Sequence, residues 1–241
     1  MIIEICANSF ESAQAAQLAE ADRIELCTEL SVGGLTPSHG LIEKVVSELN
    51  IPTHVLIRPR SGNYTYSSVE FDVMLRDIAF CKKMGCAGIV SGFLTSKNKI
   101  DTEKTKQLMN ACEGMEFTFH RAFDWVKNPS EELQKLIDLK ITRLLSSGQK
   151  STALKGISLL NELQKRSKGS IEIMPGGGIN LENALKFKQA GFGSIHFSAT
   201  VKTQTLLQKP NVSMHSDTFF EEGIVATSNL ETIQKIKALL T

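Results

Sequence analysis

Short β-branched and apolar runs alternate with longer amphipathic runs eight times along the chain. The strand-like runs are Ile2–Cys6, Asp22–Cys27, Thr53–Arg58, Ala87–Ser91, Glu116–His120, Thr142–Ser146, Ile171–Met174 and Ser194–Ser198. Spacings of roughly 20–30 residues suit a strand, a crossover helix and two short loops. The intervening runs carry helix start signals. Ser67 with Glu70, and Ser228 with Glu231, read as capping boxes. Asn128-Pro129 supplies an N-cap and a proline at the first helical position, Thr36-Pro37 opens another helix in the same way, and Asp101 caps the run near Thr102–Cys112. Gly85 and Gly191 follow helical runs and suit a left-handed C-terminal position.

Alternating β and α elements imply a parallel sheet with right-handed crossovers. Eight units favour closure, so the expected fold is α/β, a (β/α)8 TIM barrel forming one domain over residues 1–241. The first strand is not followed by the glycine turn of a dinucleotide-binding fold. A long irregular loop is expected at about 199–227, and loops of such length are usually functional or mobile.

Period-two alternation sorts the strand side chains. The greasier set must face the helices, so Ile3 and Ile5 point out while Glu4 and Cys6 point into the barrel. By the same test Glu25, Cys27, His54, Leu56, Arg58, Arg60, Thr118, His120, Glu172, Met174, His196 and Ser198 point in, while strands four and six do not sort. Barrels usually fill this space with Val, Ile and Leu. An unpaired buried charge is costly, so these groups should pair, with Glu25 and Arg58 on adjacent strands the first choice.

Composition adds exclusions. A formal net charge of +1, with 41% apolar and 22% charged residues, gives no footprint for a nucleic-acid or membrane-surface protein. No run approaches the length of a membrane span, and MIIEICANSF reads as a strand, not a signal peptide. Five cysteines without an export signal are expected to be reduced thiols in the cytoplasm.

Three features carry candidate chemistry. Glu4-Ile5-Cys6 and Glu25-Leu26-Cys27 repeat one pattern on neighbouring strands, which puts two thiols within reach of a soft ion such as Cu(I); two small thiols acting as core packing remain the alternative. Gly176, Gly177 and Gly178 follow strand seven, and Ser198 ends strand eight, where barrels often bind anions through backbone N–H groups. His120-Arg121-Ala122-Phe123-Asp124 leaves strand five at the same face. His120 and Asp124 there suit acid–base work, and Arg60 or Arg121 suits an anion. Glu25, Arg58, His120 and Asp124 are thus the catalytic candidates, while Gly176, Gly177, Gly178, Ser198 and Arg60 are the anion-binding ones. No nucleophile–base pair or Schiff-base lysine is evident.

The segments Glu4–Cys6, Ala21–Cys27, Gly33–Ser38, Ile57–Arg60, Thr118–Asp124, Ser147–Gln149 and Pro175–Gly178 together resemble the CutC copper-homeostasis protein family. The resemblance runs in order from residue 2 to about 200. It implies a (β/α)8 barrel, a cytoplasmic homodimer or higher homo-oligomer, and copper thiols at Cys6 and Cys27. After strand eight the chain departs from the family, since Val201–Val212 holds no arginine. Two functions follow as expectations. One is Cu(I) binding in copper homeostasis through Cys6 and Cys27. The other is a barrel enzyme acting on a small phosphorylated or otherwise anionic metabolite.

Overall fold

A computed structural model describes residues 1–208, 211–212 and 224–241. Eight parallel strands form the barrel: β1 (Ile2–Ala7), β2 (Arg23–Leu26), β3 (Thr53–Leu56), β4 (Gly88–Ser91), β5 (Glu116–Phe119), β6 (Arg143–Ser146), β7 (Glu172–Pro175) and β8 (Ser194–Phe197). They pair in the order β7-β6-β5-β4-β3-β2-β1-β8, and a bridge between Gly176 and His196 closes the ring. Each strand starts and ends within two residues of its expected bounds, because the apolar alternation that marks a strand is the same pattern that packs it.

The helices follow as α1 (Phe10–Leu18), α2 (His39–Glu48), α3 (Ser68–Met84), α4 (Thr102–Ala111), α5 (Pro129–Asp138), α6 (Ile157–Ser167), α7 (Ala184–Gln189) and α8 (Leu230–Leu240). The Ser67–Glu70 capping box opens α3, the Asp101 side chain caps α4, and Gly85 ends α3 at φ 80°. Two start signals are corrected. Ser38, not Thr36-Pro37, caps α2, since its hydroxyl accepts from the Leu41 N–H. Asn229, not Ser228, caps α8, because Ser228 is committed to a strand.

The expected irregular loop is also corrected in part. Thr200–Gln204 (β9) and Ile224–Ser228 (β10) pair antiparallel as a hairpin beside the barrel mouth, and the rest of the stretch lies largely outside the described residues. The Asn8 side chain ties this hairpin down by donating to the Ala226 carbonyl at 2.8 Å. Among the described residues, no helix is long and apolar enough to cross a membrane.

Face sorting succeeds. Ile3, Ile5, Ile24, Leu26, Val55 and Ile57 join the large core between strands and helices, while Cys6, Cys27, Leu56 and Val90 form a separate small cluster inside the barrel. The two strands that did not sort are now placed: Val90 of β4 and Arg143 and Leu145 of β6 face inward.

Candidate functional site

Sequence alternation brings Cys6, Glu25, Arg58, His120 and His196 to one end of the barrel, where they line a cavity of about 880 Å³ at the C-terminal ends of the strands. The β9–β10 hairpin adds Lys202, Val225 and Ala226 to the wall. This is the face on which barrels of this kind carry their chemistry.

The floor holds the two thiols. Register aligns Cys6 with Glu25, so Cys27 sits diagonally above, and the two sulfurs lie 3.6 Å apart. Cys27 is fully buried and Cys6 is 7% exposed. Gly34 is what lets the β2–α2 loop close over them. At φ +87° a Cβ there would stand 2.6 Å from Leu56 Cδ2 and 3.6 Å from Cys27 Cβ. The contact with Cys27, together with burial, raises the Cys6 thiol well above its ordinary pKa.

Beside Cys6 stand Glu25 and His196. The His196 Nδ1 bonds Glu4 Oε1 at 2.8 Å and lies 3.6 Å from Glu25 Oε2. Glu4 is itself held by the Arg23 Nε at 2.5 Å. Burial opposes charge on His196, but Glu25, Cys6 and Glu4 outweigh it and lift the imidazole well above its usual pKa. Burial likewise opposes the Glu4 carboxylate, yet His196 and Arg23 hold it far below the usual range. Glu25 differs. Burial and the nearby Glu4 charge, only partly offset by His196, push it up to about 7, and its Oε2 has no hydrogen-bond partner.

The expected Glu25–Arg58 pair is a correction, since Arg58 makes no ion pair with Glu25 among the described residues. Arg58 NH1 donates to the carbonyls of Val32 and Gly34, and NH2 donates to that of Gly62, so the guanidinium clamps two loops. It lies 5.0 Å over the Tyr64 ring, which in turn meets His120 at 5.0 Å. His120 accepts from the Ala122 N–H through Nδ1, and its buried Nε2 has no partner. Burial and the Arg58 charge push His120 down to about 3, so it is neutral at physiological pH.

Asp124 lies at the edge of this constellation and is saturated. It accepts from the hydroxyls of Ser146 and Ser147, from the N–H groups of Ser147 and Gln149, and from Arg121. Such a carboxylate positions the β6 loop, and it is not among the residues that line the cavity. Arg60 is also committed elsewhere. It pairs with Glu70 at 2.5 Å, donates to carbonyls of its own loop, and does not line the cavity.

Arg121 does line the cavity. Its NH1 packs 3.3 Å from the position a Gly177 Cβ would take, at φ +104°. Gly177, Gly178 and Ser198 line the same wall, and among the described residues the N–H groups of Gly178 and Ile179 donate no hydrogen bond. Gly176 serves closure instead, pairing with His196 and leaving no room for a side chain against Leu145. Sequence reasoning did not single out Arg23, although its alternation with Glu25 places it inward. Tyr64 comes from a loop, where no period marks direction.

The sequence profile of the CutC family matches residues 1–201 of this chain, across all eight barrel strands. The chain belongs to the CutC family. A CutC family protein of Glaesserella parasuis is 40% identical over 241 residues, covering 100% of this chain and 98% of that protein. The crystal structure of the putative copper homeostasis protein CutC from Streptococcus agalactiae superposes with a TM-score of 0.77 at 33% identity, covering 82% of this chain and 98% of that one. A thiamine phosphate pyrophosphorylase from Pyrococcus furiosus shares the fold alone, with a TM-score of 0.61 at 11% identity, covering 99% of this chain and 95% of that one. The CutC match ends at residue 201, inside β9. The family profile therefore covers the thiol floor and the glycine turn, while the alignment with the Glaesserella parasuis protein runs on through β10.

Proposed function

We propose that this member of the CutC family binds Cu(I) through Cys6 and Cys27 and serves copper homeostasis, with copper as cargo. The observation that carries the reading is the pair of buried sulfurs 3.6 Å apart beneath an open cavity. Thiolates are soft ligands suited to Cu(I). With metal–sulfur bonds of about 2.3 Å, a linear site needs sulfurs about 4.6 Å apart, whereas a tetrahedral angle needs about 3.8 Å. The observed separation favours a bent site that admits a further ligand. The family relationship, and the copper homeostasis named for the Streptococcus agalactiae relative, support the same reading. A cytoplasmic, homo-oligomeric protein with reduced thiols belongs with it, consistent with five free cysteines. Anaerobic competition against a Cu(I) chelator tests it. The parent binds tightly and the Cys6→Ser, Cys27→Ser double variant does not; equal affinity would remove the proposal.

One observation favours a second reading, an enzyme acting on a small anionic metabolite. A cavity of about 880 Å³ is far larger than an ion requires and matches small-molecule sites. Arg121 and the free N–H groups beside Gly178 would hold the anion. Glu25 and His120 would act near it, with Arg58 shaping the wall and Asp124 holding the β6 loop. Arg60 drops from the anion set, and Arg121 takes its place. A metabolite screen in which no anion raises the melting temperature would count against this reading.

A further inference from the structure

One set of donors beside the thiol pair is unexplained by two-sulfur copper binding. One ligand atom each from Cys6, Glu25 and His196 lie within 4.8 Å of one another. Their chemistry is mixed: one thiolate, one carboxylate oxygen and one imidazole nitrogen. A hard carboxylate is a poor ligand for Cu(I), whereas zinc accepts sulfur, nitrogen and oxygen together. We propose that Cys6, Glu25 and His196 form a second site, for a divalent zinc ion. The idea goes beyond the copper reading and shares only Cys6 with it.

Three observations point to a ligand at this place. Glu25 is 5% exposed, lines the cavity, and its Oε2 accepts no hydrogen bond, His196 Nδ1 standing 3.6 Å away. The His196 nitrogen beside it is too far to donate and is already bonded to Glu4, so the buried oxygen still lacks the donor or metal ion that burial calls for. The His196 ring is already oriented, because Nδ1 is engaged by Glu4 Oε1 at 2.8 Å and Arg23 fixes the other Glu4 oxygen. That leaves Nε2 as the ligand nitrogen, in the carboxylate–histidine–metal arrangement that sets tautomer and basicity. Finally, all three ligands border the cavity, so a three-ligand ion keeps its fourth position open to water or a small anion.

The geometry is reachable. Tetrahedral coordination with bonds of about 2.0–2.3 Å sets donor separations of about 3.3–3.8 Å. The ligand atoms already lie within 4.8 Å of one another, so closing to that range asks for a shift of about 1–1.5 Å at most, a distance that side-chain torsions can supply. Cys27 is 3.6 Å from Cys6 but is not among the compact set, so it belongs to the thiol pair alone.

The test uses the full-length, metal-free, reduced protein, titrated with zinc against a chelating dye and with Co(II) as a spectroscopic probe. The parent binds one zinc. Its Co(II) form shows tetrahedral visible bands and a sulfur-to-cobalt band of single-thiolate strength. Glu25→Gln and His196→Gln, both near-isosteric, weaken zinc about tenfold or more, and Glu4→Gln weakens it about 10–100-fold as an outer partner of the ring. Cys27→Ser weakens Cu(I) but not zinc. Thermal melts of each apo variant verify folding, and the parent Co(II) spectrum tests the ligand set without any substitution. The proposal is overturned if the parent binds no zinc, if a folded Glu25→Gln or His196→Gln variant binds it like the parent, or if the Co(II) band has two-thiolate strength. Loss of the copper reading is separate: the double-thiol variant would then hold Cu(I) normally while the zinc result stands.

Discussion

The barrel interior holds two polar regions that obey different rules. Toward the N-terminal ends of the strands, charge meets charge. Arg143 donates to Glu172 at 2.7 Å, to Glu116 at 2.9 Å and to the Thr118 hydroxyl at 3.0 Å. Glu4 is shared by Arg23 and His196, while His54 Nδ1, 4.0 Å away, makes no hydrogen bond. Toward the C-terminal ends, Glu25 Oε2, Arg58 Nε and His120 Nε2 are buried without hydrogen-bond partners. The difference is not one of composition, since both regions mix acids, arginines and histidines. It is one of how the carboxylates are met. Glu4, Glu116 and Glu172 each accept from an arginine, and the lower network is closed in that sense although His54 Nδ1 and Ser194 Oγ make no hydrogen bond. Glu25 accepts from nothing among the described residues. A closed network fixes a barrel; an incomplete one, bordering a cavity, leaves donors and acceptors for something that arrives later.

The largest effect is expected where the closed network is broken. Arg23→Met leaves the fully buried Glu4 carboxylate without its guanidinium. Removing one partner of a buried pair costs about 3–5 kcal/mol. Urea unfolding should show a loss of that order in the apo protein. A loss well below 1 kcal/mol would mean the lower region does not hold the barrel, and the contrast with the mouth would collapse.

Acid should act through two histidines, one from each region. Burial pushes His54 down to about 4 and His120 down to about 3, from an ordinary value of 6.5. The unfolded chain therefore binds protons that the fold refuses. Their contribution is fully present above about pH 6.5, and stability declines as pH falls from there toward about 4 and 3 respectively. Each group accounts for a few kcal/mol at most across its window. His120→Gln should flatten the decline of unfolding free energy between pH 6.5 and 3, and an unchanged slope would show that His120 is not held neutral.

Much of this architecture was legible in the chain. Alternation placed Glu4, Cys6, Glu25, Cys27 and His196 inward, because the greasy partners Ile3, Ile5, Ile24, Leu26 and Ile195 had to meet the helices. Which groups pair was not legible. Glu25 and Arg58 sit on adjacent strands, but Arg58 lies beyond the end of β3, where the nearest acceptors are the carbonyls of Val32, Gly34 and Gly62. Pairing depends on height along the barrel and on loop backbone, neither of which a two-residue period encodes. The same limit explains Arg60 and Arg121. Both leave strand ends, and only the loop path decides that one meets Glu70 while the other reaches Gly177.

A smaller effect should come from filling the mouth. Inorganic phosphate bound beside Arg121 and Gly178 would stabilise the fold by mass action, about 1.4 kcal/mol at ten times its dissociation constant. A phosphate-dependent rise in melting temperature, absent in Arg121→Met, is the expected result. Equal shifts in parent and variant would place any anion elsewhere and return Arg121 to a purely positioning role with Asp124 and Ser147.

The smallest effect should come from Glu25→Gln in the metal-free protein. In the closed region, neutralising a carboxylate strands an arginine. At the mouth, Glu25 Oε2 has no donor to lose, and its nearest cation, His196, keeps Glu4 at 2.8 Å. An amide of the same shape also avoids the desolvation that burial imposes on the carboxylate. The two changes oppose one another, so unfolding free energy should move by less than about 1 kcal/mol, in contrast to Arg23→Met. A loss of several kcal/mol would show that Glu25 is part of the scaffold, and the unpartnered oxygen would then no longer mark a binding site. A near-neutral result would separate the two regions by experiment: one set of buried charges is needed to fold, the other is carried for a ligand.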